Sequence, residues 1–173
     1  MEFARRYVLW GAAVLGVWVL TLCFTTWRPV SQVRAHQEAF FRAVEDRKAR
    51  RIDELLAPNY ADQWGFDRTN VIRACDDFRR CFLSVGLVPT EPLVESHSGT
   101  GLYTACVRVQ GSPTAVGAEI RRAANRLDAP FVFTWRRSGF LPWQWRLHRI
   151  HNEELTSLEG YEAGALSEML DMP

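Results

Sequence analysis

Four side chains in this sequence stand out as candidates for proton transfer. Asp62, in the stretch "NYADQWGFD", and the imidazoles of His97 and His148 can each serve as a general base where their surroundings tune them. Tyr60, two positions before Asp62, carries a hydroxyl that can donate to a developing oxyanion. No motif fixes the four as a set, and the competing reading gives a surface aspartate and two sheet histidines ordinary structural partners. His148 and His151 form an HxxH pattern. On a strand, residues three apart point to opposite faces, so the pair cannot chelate one metal. The chain has no HExxH and no GxSxG, and Gly99 and Gly101 in "SGTG" lack the helix that must follow a phosphate-cradling loop. Neither a metal nor a cofactor is expected.

Cysteine chemistry is equally sparse. Cys23, Cys75, Cys81 and Cys106 contain no CxxC pair. Cys75 and Cys81 fall on opposite faces of one predicted helix, so they should not pair with each other. They read as small buried hydrophobes.

The elements that must position these groups follow from periodicity. Ser31 is a suitable cap for a first soluble helix over 33–48, on which Val33, Phe40, Phe41 and Val44 form an apolar stripe. His36 lies near that stripe as a partly buried helix histidine. A second short helix carries Ile52, Leu55 and Leu56 and stops at Pro58. After the turn that holds Asp62, Asp67 or Thr69 caps a third helix with Val71, Cys75, Phe78 and Phe82 along one face. Asp76 and Asp77, beside Arg73, Arg79 and Arg80, read as a solvated helix face.

Beyond Cys81 the period changes to two. "LSVGLVPTEPLVESHSG" reads as an edge or bent strand because of Pro89 and Pro92. In the next strand Tyr103, Ala105, Val107 and Val109 share a face. Ile120, Ala123, Ala124 and Leu127 then mark an inserted helix. Finally Phe131, Phe133 and Trp135 alternate with Val132, Thr134 and Arg136. After the turn signals Ser138-Gly139 and Pro142, Trp143, Trp145, Leu147 and Arg149 alternate with Gln144, Arg146, His148 and Ile150. Two antiparallel strands with cross-strand aromatic pairs are predicted there. Helices first and strands afterwards mean an α+β fold, with three helices packed on a curved antiparallel sheet. The tail 156–173 is acidic and is expected to be a frayed helix.

Residues 7 to 27, "YVLWGAAVLGVWVLTLCFTTW", contain no charge and are long enough to span about 30 Å of hydrocarbon. Trp10 and Trp27 stand near the ends, and the run lacks a signal-peptidase site. An uncleaved transmembrane helix is expected, after a tail over 1–6 and before a linker over 28–31. Arg5 and Arg6 favour a cytoplasmic N-terminus. Arg28, Arg34, Arg42, Arg47 and Lys48 would favour the reverse but belong to the folded part, where the rule weakens. The expected place is therefore a bacterial inner membrane, single-pass, with the domain on the non-cytoplasmic side. Apart from Glu2, Arg5 and Arg6, the charges balance at 19 basic and 19 acidic residues. That neutrality excludes the broad basic footprint of a nucleic-acid binder.

The order of elements resembles the nuclear transport factor 2-like superfamily, also called SnoaL-like or cystatin-like cones. The resemblance rests on the amphipathic first helix running into "RIDELLAPNYADQW", the helix at 69–82 and the terminal hairpin "PFVFTWRRSGFLPWQWRLHRI", and covers about 32–155. It implies a curved sheet wrapped round the first helix and a cone-shaped cavity, with Asp62 near its mouth and Trp64, Tyr103, Phe133, Trp135 and Trp145 in its wall. Members of the superfamily include isomerases, dehydratases, ligand binders and assembly domains, so fold alone assigns no activity. A membrane helix ahead of such a cone also looks like the periplasmic subunit of type IV secretion systems, though no motif here ties the two. The expected role is a membrane-anchored, non-catalytic cone that binds a partner protein or a small apolar ligand, with a homodimer allowed. The alternative is an isomerase- or dehydratase-type enzyme acting on a lipid-like substrate, built on Asp62, Tyr60 and the histidines.

Overall fold

Proline opens the first helix of the fold. A computed structural model describes Gly16, Trp18 and residues 28–139, 141, 143–155 and 161–165. Helix α1 spans Pro29–Glu45, with Arg28 extended at its N-cap and no side-chain cap. Pro29 therefore begins this helix, where its missing N–H has no partner to lose. Ser31, expected as the cap, lies inside the first turn, and most of the expected linker is helical. Val33, Gln37, Phe40, Phe41 and Val44 make the buried stripe. Among the described residues no helix is long and apolar enough to cross a membrane. The predicted span 7–27 lies outside them, except for Gly16 and Trp18, which are both helical.

Helix α2, Ala49–Leu55, follows a left-handed Arg47 with φ of 56°. Helix α3, Arg68–Arg80, is capped by Asp67, whose Oδ1 accepts the Asn70 N–H at 2.8 Å. Four strands come next: β1 Phe82–His97, β2 Thr100–Pro113, β3 Phe131–Arg137 and β4 Trp145–His151. Helix α4, Ala115–Arg126, lies between β2 and β3 and is capped by Thr114. The fold is α+β, with four described helices on one antiparallel, curved sheet of order β1-β2-β3-β4. As Pro89 and Pro92 require, β1 is an edge strand; its pairing with β2 shifts between Thr90 and Leu93, around a left-handed Glu91.

The β3–β4 hairpin is antiparallel, but its alternation breaks. Trp135 pairs with Leu147, and Thr134 pairs with Arg149, leaving His148 as the extra residue of a bulge. The bulge moves Arg149 to an exposed position and turns Ile150 toward the core, the reverse of simple alternation. Strand β4 starts at Trp145, and Trp143 stands outside it at 48% exposure. The chain after α2 runs beside β4, making an isolated parallel bridge between Leu56 and Leu147. The Ala57 N–H donates to the Leu147 carbonyl at 2.9 Å, and the Ala61 N–H to that of His148 at 3.2 Å. This places the Tyr60–Asp62 turn at the edge of the concave face.

Helix α1 lies on that face. Phe41 meets Phe133 edge-on at 5.5 Å and Tyr103 at 6.2 Å between ring centroids. Close approach is possible because Gly101 has no Cβ; one placed there would collide with the Val33 side chain. Deeper in the contact the Trp135 indole donates to Gln37 Oε1 at 2.8 Å, and both residues are fully buried.

Candidate functional site

Between α1, α3, α4 and the concave sheet face lies a cavity of about 520 Å³. Phe40, Phe41 and Val44 of α1 form one wall, and Val107, Val109, Phe131, Phe133 and Ile150 form the sheet wall. Val71, Ala74, Cys75 and Phe78 of α3 face Ile120, Ala123 and Ala124 of α4 across it. The loop after α2 contributes Asp62, Trp64 and Phe66. The C-terminal segment adds Leu155 and Tyr161. The surface is overwhelmingly carbon, so a ligand here would be held mainly by the loss of apolar area from water.

Two carboxylates reach this cavity, and both are occupied by the protein itself. Asp62 Oδ1 accepts the backbone N–H groups of Trp64 and Phe66, each at 2.9 Å. This Asx-type arrangement builds the turn. Its Oδ2 lies 3.4 Å from the Tyr60 hydroxyl. Burial holds the Asp62 carboxyl above the usual carboxylate range; the two backbone N–H groups, Tyr60 and the Arg149 charge pull the other way. Asp77 has no exposed surface. It accepts the Tyr161 hydroxyl at 2.9 Å and the Gly164 N–H at 2.8 Å on Oδ2.

Asp77 departs from the solvated face read on α3, whereas Arg73 is exposed and Asp76 forms a part-exposed ion pair with Arg80 at 2.8 Å. Asp77 is covered by residues 161–165, which return from the C-terminal end, where a frayed helix was expected; Tyr161 also lies 6.2 Å from the Phe66 ring. The only sequence signal for this burial was the tyrosine-glycine content of an otherwise acidic tail. Trp64 is held in the cavity wall by its indole N–H, which donates to the Leu155 carbonyl at 2.7 Å. Gln63 donates to the same carbonyl at 2.6 Å and to that of Asn152 at 2.7 Å. Cys75, also in the wall, has its thiol pushed up to about 12 by burial and by neighbouring Asp76, which makes it an inert hydrophobe.

The candidate residues divide between the cavity and other places. Trp64, Phe133 and Asp62 line the cavity, while Tyr103, Trp135 and Trp145 are buried in the closed core under α1. Tyr60 is buried behind Asp62, and burial raises its hydroxyl pKa far above the usual tyrosine value. His97 is exposed where β1 ends, and His148 is half-buried at the β4 bulge. Burial and the nearby Arg136 charge hold the His148 imidazole below its ordinary pKa. Among the described residues no hydrogen bond joins Asp62 to a histidine, and no group of three His, Cys, Asp or Glu is placed to hold a metal ion. In chemical terms the arrangement is an apolar container with one carboxyl of raised pKa at its rim.

No family model matches the chain, and no curated protein matches it in sequence. Solved structures do match it in fold. A nuclear transport factor 2-like protein of unknown function from Pseudomonas putida superposes with a TM-score of 0.52 at 14% identity, over 71% of this chain and 84% of that one. A protein described as a candidate dehydratase of the same family, from Streptomyces avermitilis, gives 0.50 at 19%, over 71% and 93%. Bd1075 of Bdellovibrio bacteriovorus gives 0.52 at 10%; 69% of this chain is covered, but only 38% of that one. The chain thus has the nuclear transport factor 2-like, or cystatin-like, fold.

Proposed function

We propose that this protein is a membrane-anchored cone that binds a small apolar molecule and does no chemistry on it. The observation that supports this most is the cavity of about 520 Å³, whose two carboxylates are both engaged in building the fold. A cavity of about 300–1,000 Å³ with apolar walls is the usual container for a small organic ligand. The anchor is residues 7–27, and the domain lies on the non-cytoplasmic side of a bacterial inner membrane, where acyl and isoprenoid chains are at hand. Among the described residues the hydrophobic core draws on none before Val33, so the chain from residue 28 onward serves for the test. Extraction and mass spectrometry of that protein should recover a co-purifying apolar compound. The neutral dye N-phenyl-1-naphthylamine should bind saturably at one site. Ala124→Trp, which fills the cavity, should abolish dye binding without changing the circular dichroism. Absence of both a retained compound and saturable dye binding would overturn the reading.

A second reading, an isomerase- or dehydratase-type enzyme on a lipid-like substrate, draws on Asp62. Its carboxyl faces the cavity with a raised pKa and has the Tyr60 hydroxyl beside it. Proton abstraction by that carboxyl would exchange a ligand C–H in heavy water. Deuterium appearing in the recovered compound with the parent chain, but not with Asp62→Asn, would establish the enzyme and displace the binder.

A further inference from the structure

We propose that the end of the fold where α1 begins is a membrane-facing surface that lies on anionic phospholipid headgroups, with the β3–β4 tip entering the interface. The proposal extends the membrane reading of residues 7–27 given above. Three segments meet at this end. Along α1, Val33 packs on Gly101, Gln37 meets Trp135, and Phe40 and Phe41 meet Phe133, so residues 28–30 lie toward the hairpin tip. The β1–β2 turn is tied to the same place, because the Arg137 N–H donates to the Gly99 carbonyl at 2.9 Å. The tip itself follows Arg137 directly.

Described residues of the tip are tied to one another. The Ser138 N–H donates to the Gln144 carbonyl at 2.7 Å, and the Gln144 N–H to that of Leu141 at 3.1 Å. The Leu141 N–H in turn reaches Gln144 Oε1 at 3.3 Å. This network holds Leu141 and Trp143 outward, at 41% and 48% exposure. Leucine and tryptophan held outward in this way suit the headgroup boundary, where an indole is both apolar and wet. Val30, at the start of α1, is 38% exposed on the same side.

Charge selects the partner. Residues 28–37, 96–101 and 134–146 hold Arg28, Arg34, Arg136, Arg137 and Arg146, and no Asp or Glu. Arg136 and Arg146 pair directly across β3 and β4. Like charges directly opposite on one face destabilise a ribbon, and among the described residues no carboxylate pairs with either. Arg137 is held over the Trp145 ring at 5.7 Å. The chain as a whole is close to neutral, so this local excess is a feature of one end. An array of phosphates neutralises it, and the long arginine stems allow the guanidinium groups to reach phosphates while the apolar tip sinks past them. The apolar run 7–27 ends just before Arg28, which brings a bilayer to this end.

The test uses the full chain in nanodiscs, with hydrogen exchange read by mass spectrometry. In discs of phosphatidylglycerol and phosphatidylcholine, amides of residues 138–146 should exchange at least about tenfold more slowly than in discs of phosphatidylcholine alone. Arg136→Glu with Arg146→Glu should erase that difference. Arg121→Glu, near Gly111 at the far end of β2, should leave it intact. Equal exchange of the parent tip in both lipids would overturn the proposal, with no variant required. Protection that appears only on adding an acidic polypeptide would overturn it too and would point to a protein partner. Carbonate washing separates this result from the fate of the anchor. A washed chain that stays in the disc with an unprotected tip defeats this proposal and spares the anchor. A washed-off chain that still binds anionic vesicles through a protected tip supports the proposal and defeats the anchor.

Discussion

Gln37 and Trp135 show how much a single buried polar contact decides. The indole donates to Gln37 Oε1 at 2.8 Å with neither residue exposed. Gln37→Leu keeps the volume but strands the indole N–H, and should cost about 1–3 kcal/mol in urea unfolding. Asp62 makes the opposite case. Its folded pKa is raised by burial, so the native state holds its proton more tightly than the unfolded chain does. Stability from this group is full below the unfolded carboxyl value and falls as pH rises through the folded one. Asp62→Asn keeps an acceptor for the Trp64 and Phe66 amides and removes the charge. Its melting temperature at pH 7 should therefore exceed the parent's, and the difference should vanish near pH 3; an Asn variant less stable at pH 7 would show that the carboxylate itself is needed. Asp62 could be singled out in the sequence because it follows a helix stop in a turn-forming stretch. Asp77 could not: its burial depends on a tyrosine hydroxyl 84 positions away.

At the level of elements, periodicity carried most of what could be read. The stripe Val33, Phe40, Phe41, Val44 is the buried face of α1, and the alternation in β2 gives its buried residues Tyr103, Ala105 and Val109. Phe40→Ala and Phe41→Ala should each cost about 3–5 kcal/mol. Gly101→Ala should also destabilise, since the added methyl meets Val33 and must push the start of α1 off the sheet; a crystal structure or melt showing no change would deny that contact. Two element features were not legible. The bulge at His148 follows from fitting Leu147 and Ile150 to one core while keeping Arg149 outside, a three-dimensional constraint that strict alternation hides. The helix start at Pro29 was missed because a proline after an apolar run reads equally as a stop or as a first helical residue. The same limit explains the pocket. Trp135 and Trp145 alternate with arginines and so must face inward, but whether an inward residue meets a cavity or a helix depends on where α1 lies along the sheet.

The whole molecule is closed by its C-terminal end. After β4 the chain runs past Asn152, whose side chain donates to the Ala129 carbonyl at 2.8 Å and accepts the N–H groups of Glu154 and Leu155. Residues 161–165 then lie against α3, with Tyr161 in the cavity wall. Here helix α3 and the returning segment meet at one buried carboxylate, Asp77, so removing one partner should be felt by the other. Tyr161→Phe deletes one donor to Asp77 and should cost about 1.5–3 kcal/mol, the range for a hydrogen bond to a charged group. The same change in an Asp77→Asn background should cost less, because the amide oxygen carries no full charge to leave unsatisfied. A double-mutant cycle by urea unfolding measures the difference as a coupling energy. Coupling of about 1 kcal/mol or more is expected between two groups in direct contact. A value near zero would mean that residues 161–165 rest on α3 without being held there by Asp77. The cavity wall that Tyr161 supplies would then be only loosely fixed. In that case the naphthylamine dye should enter and leave Tyr161→Phe at the parent's rates; with strong coupling, the variant should release the dye several-fold faster while keeping the same number of sites.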